Sequence, residues 1–393
     1  MKNVLLYYSF SFALGGGEYL PLAFIAALQK ICNLTVAVDQ ACNFERSYKA
    51  FGTGLDIDTS RLRLVQVTPP DYDPKKHTVF LSLYRFRQLK RLAKEADVCL
   101  STASIMDFGK PAHQFINMIA FGDPAFTDYA HKNAGSVHVS LRTRAKRFFM
   151  DSILRPLLGM RSKRSIICDR RQHIYPNSRY VEELMKSFYG PFNSKVFYPP
   201  TLFEAEHDAA ARDPLKVVYI GRIIPEKRIE DLVAIVEKAR AVTGLDITFH
   251  VAGRLDQTPS YGRKLDTMAK ERDWLKFVGA LYGEEKARFL TSGSYAIHAE
   301  RDEAFGISIA EYLASGLIPI VPDEGGTPEI VDSRALTYRT NEDAAQILAR
   351  LLSDAGFREN QRRHCVERAK LFSREAYLER QGKLLAEIVG VTP

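Results

Sequence analysis

Short runs of apolar residues alternate with longer amphipathic stretches along the first part of this chain. The runs are Asn3–Ser9, Leu34–Gln40, Arg63–Val67 and Val98–Ser104, and the stretch between the last two is typical of a helix with a basic outer face. Continuous apolar runs of this length are typical of strands buried on both faces of a parallel sheet. The alternation therefore predicts an α/β domain with a parallel sheet.

The same pattern continues to residue 200. His113–Asp123 is predicted to be a strand that ends in polar residues. The stretch from Ser165 to Gly190 predicts a strand followed by a helix capped near Asn177 and Ser178. Val196–Pro200 predicts a short strand stopped by two prolines.

A segment without a clear pattern, Thr201–Pro214, separates this half from a second one and indicates a domain boundary. The strand-helix rhythm restarts at Lys216–Arg222. A helix with one apolar face follows and ends at Gly244. Four more short apolar runs follow, each separated from the next by a helix-like stretch. The second half therefore predicts another doubly wound domain.

Length and composition agree with two domains. The chain has 393 residues, of which 46% are hydrophobic and 26% charged, and this length exceeds one ordinary core. No apolar run approaches the roughly 20 residues that span a bilayer, and the N-terminal run leads into a glycine turn, so we interpret it as a strand rather than a signal peptide. The five cysteines are scattered and form no CxxC pair, which predicts a reducing cytoplasm without a zinc site or a disulfide framework.

The net charge of +8 is concentrated in the segment Arg142–His173. It contains ten Lys or Arg residues and only two acids, Asp151 and Asp169, so ten minus two accounts for the whole excess. Because aromatic and leucine residues lie between the cations, we predict contact with an anionic membrane surface or an anionic acceptor through Arg144, Lys146, Arg147, Arg161, Lys163 and Arg164. The alternative is a solvated basic helix. Nucleic acid is not expected, because no recognised nucleic-acid-binding fold accompanies the charge.

The stretch from Ala299 to Ile330 carries the strongest candidate chemistry. Glu303 and Glu311 lie eight positions apart, with Phe305 and Gly306 between them. Gly306 would let a ligand approach the backbone, and the helix opening after it would favour an anion. A carboxylate accepts hydrogen bonds from neighbouring hydroxyls, such as those of a ribose. The alternative is two ordinary glutamates near a helix dipole.

Three further candidates lie where predicted strands end. Arg222 and Lys227 follow a strand, and two cations there would hold a diphosphate, unless they are ordinary surface cations. The Gly15-Gly16-Gly17 turn after the first strand could cradle a phosphate or be only a tight turn. His113 or Asn117 could reach a ligand at the carboxyl end of its strand, although a lone histidine there is more often structural.

Taken together, these motifs resemble the retaining GT-B glycosyltransferases of the family-4 type over nearly the full length. The resemblance is carried by GGGE (residues 15–18), PNSRYV and VFYPP, GRIIPEK (221–227), the pair Glu303 and Glu311, EGGTPEIV (324–331) and the last helix. The donor motif is most similar to that of mannosyltransferase-like members, including those that extend lipid-linked oligosaccharides. Where many members have a histidine at the end of the strand QFINMI, this chain has Asn117.

The resemblance implies two Rossmann-like domains facing a cleft: an acceptor domain (residues 1–200), a donor domain (201–372) and a C-terminal helix (373–393) that crosses back. Arg222, Lys227, Gly16 and Gly17 would bind the donor diphosphate, and Glu311 the ribose. Glu303 would face the donor sugar. The backbone near sugar and phosphate would be that of Phe305, Gly306 and Ile307.

We therefore predict a hexosyltransferase that moves a hexose, such as mannose, from a GDP- or UDP-sugar to a lipid-linked or glycan acceptor. It would retain the anomeric configuration, need no metal or cofactor, and act in the cytoplasm or on the inner face of the cell membrane. Two alternatives stay open. One is a GT-B sugar-nucleotide epimerase, and the other is a non-catalytic membrane or nucleic-acid adaptor on the same fold.

Overall fold

The computed structural model describes residues 1–8, 19–39, 55–69, 79–102, 104–117, 153–201, 212–255 and 259–391, together with residues 123, 125, 126, 128, 129 and 149. The chain divides into two compact units. The first unit comprises Met1–Pro199 and Tyr377–Pro393, and the second comprises Pro200–Ala376. The functional domain boundaries after residues 200 and 372 stay predictions.

The first unit contains a six-stranded parallel sheet. Its strands are β1 (Asn3–Tyr8), β2 (Asn33–Val38), β3 (Leu62–Gln66), β4 (Val98–Ser101), β5 (His113–Ile116) and β6 (His173–Pro176), in the spatial order β3-β2-β1-β4-β5-β6. β1 pairs with β2 on one side and with β4 on the other. The order of strands therefore reverses between β1 and β4.

Helices connect these strands: α1 (Tyr19–Leu28), α2 (Val79–Glu95), α3 (Arg155–Leu157), α4 (Lys163–Ile167) and α5 (Arg179–Tyr189). α5 begins after Ser178, whose side chain accepts a hydrogen bond from the Val181 N–H at 3.1 Å, so the predicted cap is confirmed. Most of the last helix, α13 (Arg374–Val389), groups with this unit, and the Tyr377 ring packs 6.1 Å from that of Tyr19.

The second unit repeats the arrangement with β7 (Lys216–Ile220), β8 (Thr248–Ala252), β9 (Leu275–Gly279), β10 (Tyr295–Ile297), β11 (Ile318–Pro322) and β12 (Thr337–Tyr338). The spatial order is β12-β11-β10-β7-β8-β9, and the described pairs are parallel. The order reverses between β7 and β10. The helices are α6 (Ile229–Thr243), α7 (Pro259–Lys270), α8 (Gly283–Ser292), α9 (Ile307–Ala314), α10 (Thr327–Val331), α11 (Asn341–Ser353) and α12 (Ala355–Ala369).

The predicted strand at Val196–Pro200 is wrong. This segment runs beside β6 in irregular conformation, and the Lys195 and Phe197 N–H groups donate hydrogen bonds to the carbonyls of Ile174 and Pro176 at 3.0 and 2.8 Å. Because prolines follow at positions 199 and 200 and have no N–H group, no ladder can extend.

Two other boundaries differ from the predictions. The strand predicted from His113 to Asp123 ends at Ile116, and residues 118–122 lie outside the described residues. The apolar residues at 165–167 belong to α4 rather than to a strand, and the strand begins at His173. Ser162 caps that helix by accepting a hydrogen bond from the Ser165 N–H at 3.1 Å. Among the described residues, no helix combines the length and the apolar character that crossing a membrane requires.

Candidate functional site

Two loops meet at the carboxyl edge of the second sheet, at the point where its strand order reverses. One loop follows β7 and the other follows β10, and the two strands are direct neighbours, with Val217 opposite Tyr295. In open α/β sheets, ligands bind in the crevice that forms at such a reversal. The first loop carries Arg222 and Lys227, and the second carries Glu303, so the fold brings these three predicted residues to one edge.

The Lys227 side chain lies between two carboxylates. A short 3₁₀ turn, Pro225–Lys227, precedes Arg228, whose φ of 52° turns the chain into α6. The Lys227 Nζ lies 2.7 Å from the Glu303 Oε2 and also contacts the Glu300 Oε2. These side chains are 13%, 21% and 16% exposed for Lys227, Glu303 and Glu300, so the ion pairs are largely withdrawn from water. The sequence did not single out Glu300.

Arg222 differs from Lys227 in being exposed. Within the described part of the chain, its side chain makes no hydrogen bond or ion pair, while its carbonyl accepts a hydrogen bond from the Tyr219 hydroxyl at 3.3 Å. The loop after β7 therefore carries two different cations, the unpaired guanidinium of Arg222 and the ion-paired ammonium of Lys227.

Burial and charge set the protonation of this cluster. Although burial opposes the charged form, Glu303 and Glu300 raise the pKa of Lys227 above its usual value, so it stays an ammonium. Burial and the neighbouring Glu303 raise the pKa of Glu300. Against the cost of burial, Lys227 holds the pKa of Glu303 below its usual value. Glu303 is therefore the carboxylate of the pair, and Glu300 is the carboxyl that takes a proton most readily.

His298 directly follows β10 and is buried beside the Glu303 carboxylate. Its side chain is 1% exposed, and in the described part of the chain neither ring nitrogen has a hydrogen-bond partner. Its Nε2 is 3.8 Å from the Glu303 Oε2. Burial, and then the charge of Lys227, lower the pKa of His298 to about 4. The ring is consequently neutral near pH 7.

His298, Glu300 and Glu303 each offer one atom within 4.8 Å of the others, a spacing that could hold a metal ion. However, the Lys227 ammonium already contacts both carboxylates. A divalent cation would have to displace it, so we assign no metal to this cluster.

Glycines fix the loop that carries Glu303. Gly306 has a φ of 98° and precedes the first turn of α9, where the opening N–H groups lack acceptors in the helix. The Gly326 N–H donates a hydrogen bond to the Glu303 carbonyl at 2.8 Å. A Cβ on Gly326 would lie 2.4 Å from the Ala304 carbonyl oxygen. The EGGTPEIV segment therefore braces the Glu303 loop by a backbone approach that only glycine permits.

Phe305 and Ile307 contribute to this site in different ways. The Phe305 side chain is buried and packs edge-on against Phe372, with ring centroids 5.7 Å apart. Its side chain is thus part of the core, so only its backbone remains a candidate for ligand contact. Ile307 is the first residue of α9, which leaves its N–H among those free of a helical acceptor.

Glu311 lies inside α9, as predicted, but has a partner that the sequence did not indicate. Its side chain is 7% exposed, and its Oε1 lies 2.5 Å from the Nζ of Lys286, on α8. The neighbouring Tyr312 hydroxyl accepts a hydrogen bond from the Ile220 N–H at 2.8 Å. α9 is therefore tied to the end of β7, where Arg222 and Lys227 begin their loop.

In the first unit, the structure separates the two alternatives for the polar residue on β5. His113 is the first residue of β5 and lies at the amino edge of the sheet, so the expectation that it could lie at the carboxyl end is wrong. Its Nδ1 is 3.0 Å from the Tyr175 hydroxyl, and its ring stacks on His173 at 4.7 Å. Burial lowers the pKa of His113 to about 4.

Asn117 follows the carboxyl end of β5. Its Nδ2 donates to the Thr102 carbonyl at 2.8 Å, and its carbonyl accepts from the Asn177 Nδ2 at 3.0 Å. Asn117 therefore ties together the ends of β4, β5 and β6, and any role with an acceptor or a sugar stays a prediction. Gly16 and Gly17 lie outside the described residues.

The first unit contains a buried ion pair that the sequence analysis did not identify. Asp39 follows β2, and its carboxylate lies 2.8 Å from the Arg85 Nε and 3.0 Å from the Tyr7 hydroxyl. The sequence analysis included Asp39 in the predicted strand Leu34–Gln40 and did not consider it as a candidate. The signal that could have indicated it is an acidic residue at the carboxyl end of a buried strand.

The basic segment is described only in part, since Arg144, Lys146 and Arg147 lie outside the described residues. Arg161 lies 3.1 Å from Asp169, and the Arg164 Nη1 donates to the Phe188 carbonyl at 3.2 Å. Lys163 donates to the Ile105 carbonyl, and burial lowers its pKa to about 7. This contact turns the half-buried Lys163 side chain toward the backbone of residue 105, which argues against its predicted contact with a membrane or an acceptor.

Comparison with known families gives one match to the second unit. Residues 203–372 match the family described as "Glycosyl transferases group 1". The match includes the loop with Arg222 and Lys227 as well as Glu303 and Glu311.

Curated relatives match shorter parts of the chain. The phosphatidylinositol N-acetylglucosaminyltransferase GPI3 subunit of Saccharomyces cerevisiae (strain YJM789) is 23% identical over 155 residues, which are 39% of this chain and 34% of the relative. The GDP-Man:Man(3)GlcNAc(2)-PP-Dol alpha-1,2-mannosyltransferase of Yarrowia lipolytica is 30% identical over 150 residues, 34% of this chain and 23% of the relative. The chain thus spans about a third or less of the length of these relatives.

A solved structure covers nearly the whole chain. Anabaena Alr3699/HepE, in complex with UDP and glucose, has a TM-score of 0.66 and 14% identity, and covers 99% of this chain and 100% of its own. With the two six-stranded parallel sheets, this similarity confirms the predicted GT-B fold.

We expect Lys286→Met to lower the free energy of unfolding by about 1–3 kcal/mol, because it leaves the buried Glu311 carboxylate without its cation. Adding Glu311→Gln should recover part of this loss. Urea denaturation of the four proteins of this double-mutant cycle measures the coupling. Lys264→Met, which breaks the exposed pair with Glu230, is the control and should cost at most about 1 kcal/mol. Additive effects at Lys286 and Glu311 would contradict the coupling.

Proposed function

We propose that this chain, whose residues 203–372 belong to the glycosyl transferases group 1 family, transfers a hexose from a nucleotide sugar to an acceptor. The predicted enzyme class, a glycosyltransferase, follows from that membership. The observation that carries the proposed reaction is the meeting of Arg222, Lys227 and Glu303 at the reversal point of the second sheet.

In this proposal the donor diphosphate binds Arg222 and Lys227. The exposed guanidinium of Arg222 can form two parallel hydrogen bonds to phosphate oxygens. Lys227 stays charged because the carboxylates raise its pKa. The opening N–H groups of α9, at Gly306 and Ile307, add partial positive charge. The phosphate contacts of Gly16 and Gly17, which lie outside the described residues, stay a prediction from the sequence.

Positive charge at the diphosphate stabilises the transition state. As the bond between the sugar and the diphosphate breaks, negative charge develops on the leaving phosphate, and the cations of Arg222 and Lys227 offset it. Glu303 faces the donor sugar, and Glu311 binds the ribose hydroxyls. The proposed reaction retains the anomeric configuration of the donor sugar and uses no metal ion.

The relatives favour particular substrates. The Yarrowia lipolytica relative is named for GDP-mannose and a dolichol-linked acceptor, and the Saccharomyces cerevisiae relative for a phosphatidylinositol acceptor, whereas Alr3699/HepE is bound to UDP and glucose. We therefore propose a GDP- or UDP-hexose as donor, mannose as the first sugar to test, and a lipid-linked or glycan acceptor. Asn117 is the remaining candidate from the first unit for contact with the acceptor or the sugar.

We expect wild type to hydrolyse one of the GDP- or UDP-hexoses slowly without acceptor and with a chelator present. Arg222→Ala and Lys227→Ala should each slow this reaction roughly tenfold to hundredfold, because each removes a charge-assisted contact worth about 1.5–3 kcal/mol. Release of nucleoside diphosphate measures the rate, and early proton NMR of the freed sugar shows its anomeric configuration. Arg254→Ala, a cation after the neighbouring strand β8, is the control.

The proposed reaction would be overturned if both variants kept the wild-type rate while their melting curves matched that of wild type. An epimeric nucleotide sugar as the product would instead support an epimerase. A chain that binds and hydrolyses none of these donors would support a non-catalytic adaptor.

The two glutamates should separate binding from turnover. Glu311→Ala should weaken the binding of free nucleoside diphosphate about tenfold or more, because it loses contacts with the ribose. Glu303→Ala should bind the nucleotide but lose turnover. Calorimetry with UDP and GDP, beside the hydrolysis assay, measures both. If Glu311→Ala bound as tightly as wild type, the ribose would have another partner.

We also propose that the basic segment Arg142–His173 holds the protein on an anionic membrane, as a peripheral protein of the cytoplasmic face. Each engaged cation contributes about 1 kcal/mol near an anionic surface. Co-sedimentation with vesicles containing phosphatidylserine should be strong at low salt and weak at high salt. The binding should be lost when serine replaces Arg144, Lys146, Arg147, Arg161 and Arg164.

The control for membrane binding removes five exposed cations outside the segment, with serine at Lys238, Lys264, Arg288, Lys370 and Lys383. It should bind the vesicles as wild type does. Equal binding by the segment variant, or none by wild type, would leave the segment as a solvated basic surface.

A further inference from the structure

The contact between Lys227 and Glu300 poses a problem for any phosphate that approaches this lysine. The Lys227 Nζ already contacts the Glu300 Oε2 and lies 2.7 Å from the Glu303 Oε2. A diphosphate can bind the ammonium fully only by competing with these two carboxylates. Of the two, only Glu303 has a place in the proposed reaction, which leaves the Glu300 carboxyl to be explained.

Among the groups around Glu300, Lys227 is the cation that compensates its negative charge. Lys227 reaches it from the loop after β7, Tyr219 lies on β7, and Glu303 and His298 share its own loop. Burial raises the pKa of Tyr219 well above its usual value and lowers that of His298 to about 4, so both are neutral near pH 7. In the described part of the chain, Lys227 is the one cation in contact with the two carboxylates.

Two buried carboxylates that lose their shared cation cannot both stay ionised at low cost. Like charges in contact disfavour the charged form, and burial does the same. A diphosphate beside them adds further negative charge. The pair therefore takes up a proton when the phosphate draws Lys227 away, and Glu300 is the acceptor because burial and Glu303 already raise its pKa.

We propose that Glu300 is a positioning residue that holds Lys227 beside Glu303 in the free protein and yields it to the donor diphosphate, while the Glu300 carboxyl becomes fully protonated by taking up to one proton from solvent. This inference rests on the proposed function, since it takes the diphosphate to bind Lys227. It makes donor binding sensitive to pH through a residue outside the predicted set.

The sign of the pH dependence follows from the proton count. The bound state carries more protons than the free state, so nucleotide affinity falls as pH rises. Uptake of a full proton corresponds to about tenfold per pH unit. Glu300 already holds part of its proton near pH 7, because its pKa is raised. We therefore expect a decrease of about threefold to tenfold between pH 7.5 and 9, and little change below pH 7.5. Between pH 7.5 and 9 the terminal phosphate of the nucleotide is already ionised, since its pKa is about 6, so it does not contribute to this decrease.

The test is calorimetry of UDP and GDP binding to the full chain at pH 8.5, in buffers that differ in protonation enthalpy. For wild type, the apparent binding enthalpy should change with the buffer in the direction of proton uptake, with a slope of about half a proton to one proton. Glu300→Gln, which keeps the shape but cannot titrate, should show a slope near zero and a flat affinity profile. Glu300→Asp should restore the slope at least in part.

Glu226→Gln is the matched control, because Glu226 lies next to Lys227 in the chain but its side chain is exposed. It should behave as wild type. A melting curve for each variant confirms that it is folded, and a Glu300→Gln that failed to fold would be replaced by Glu300→Ala, which also cannot titrate and should show the same flat affinity profile. A purely structural Glu300 would change stability without changing the proton count.

The outcomes separate this inference from the proposed function. If neither nucleotide binds, or if Lys227→Ala binds as tightly as wild type, the donor site itself is overturned and this inference with it. If binding depends on Lys227 but releases or takes up no proton, or if Glu300→Gln takes up as many protons as wild type, only the role of Glu300 is overturned.

Discussion

The parallel pairing of β7 with β10 determines where the chemistry of the second unit can lie. Both strands are buried, and both release their chains at the same edge, where the strand order reverses. The loop with Lys227 and the loop with Glu303 must therefore face each other. α9 is held at this edge by the hydrogen bond between Tyr312 and Ile220. The Gly326 N–H holds the Glu303 loop by a hydrogen bond to the Glu303 carbonyl, and its lack of a side chain lets the two segments pack closely.

Charge compensation is the second consequence of that geometry. The loops bring one ammonium and two carboxylates together with little water, so each group sets the protonation of the others. Lys227 stays charged, Glu303 stays ionised, and Glu300 is the group whose proton can change. The Lys227 ammonium is thus paired with carboxylates in the free protein, and we propose that a diphosphate competes with them for this cation. In the same unit, the Glu311 carboxylate also lies beside a cation, 2.5 Å from the Lys286 ammonium.

In the first unit, the position of a polar residue relative to strand β5 decides whether it can lie at the edge of the sheet where ligands bind. His113 and Asn117 lie four positions apart, yet β5 is so short that they lie at opposite edges of its sheet. His113 enters an aromatic stack with His173 and Tyr175, whereas Asn117 joins the ends of neighbouring strands. The carboxyl edge of this unit also carries the buried pair of Asp39 and Arg85. This pair gives the edge a fixed charge arrangement of its own.

The sequence by itself determined the parallel α/β architecture, the positions of ten of the twelve described strands within a few residues, and the helix that begins after Gly306. It could do so because apolar runs, caps and glycine turns are local signals. It also placed Arg222, Lys227, Glu303 and Glu311 at strand ends and a helix start, since their spacing is local too. Only the tertiary structure decided that Glu300 and Glu303 share Lys227, that Lys286 pairs with Glu311, and that Lys163 turns inward. These contacts join residues 25 to 76 positions apart, and no periodicity in a chain encodes which distant side chains will meet once the strands have paired.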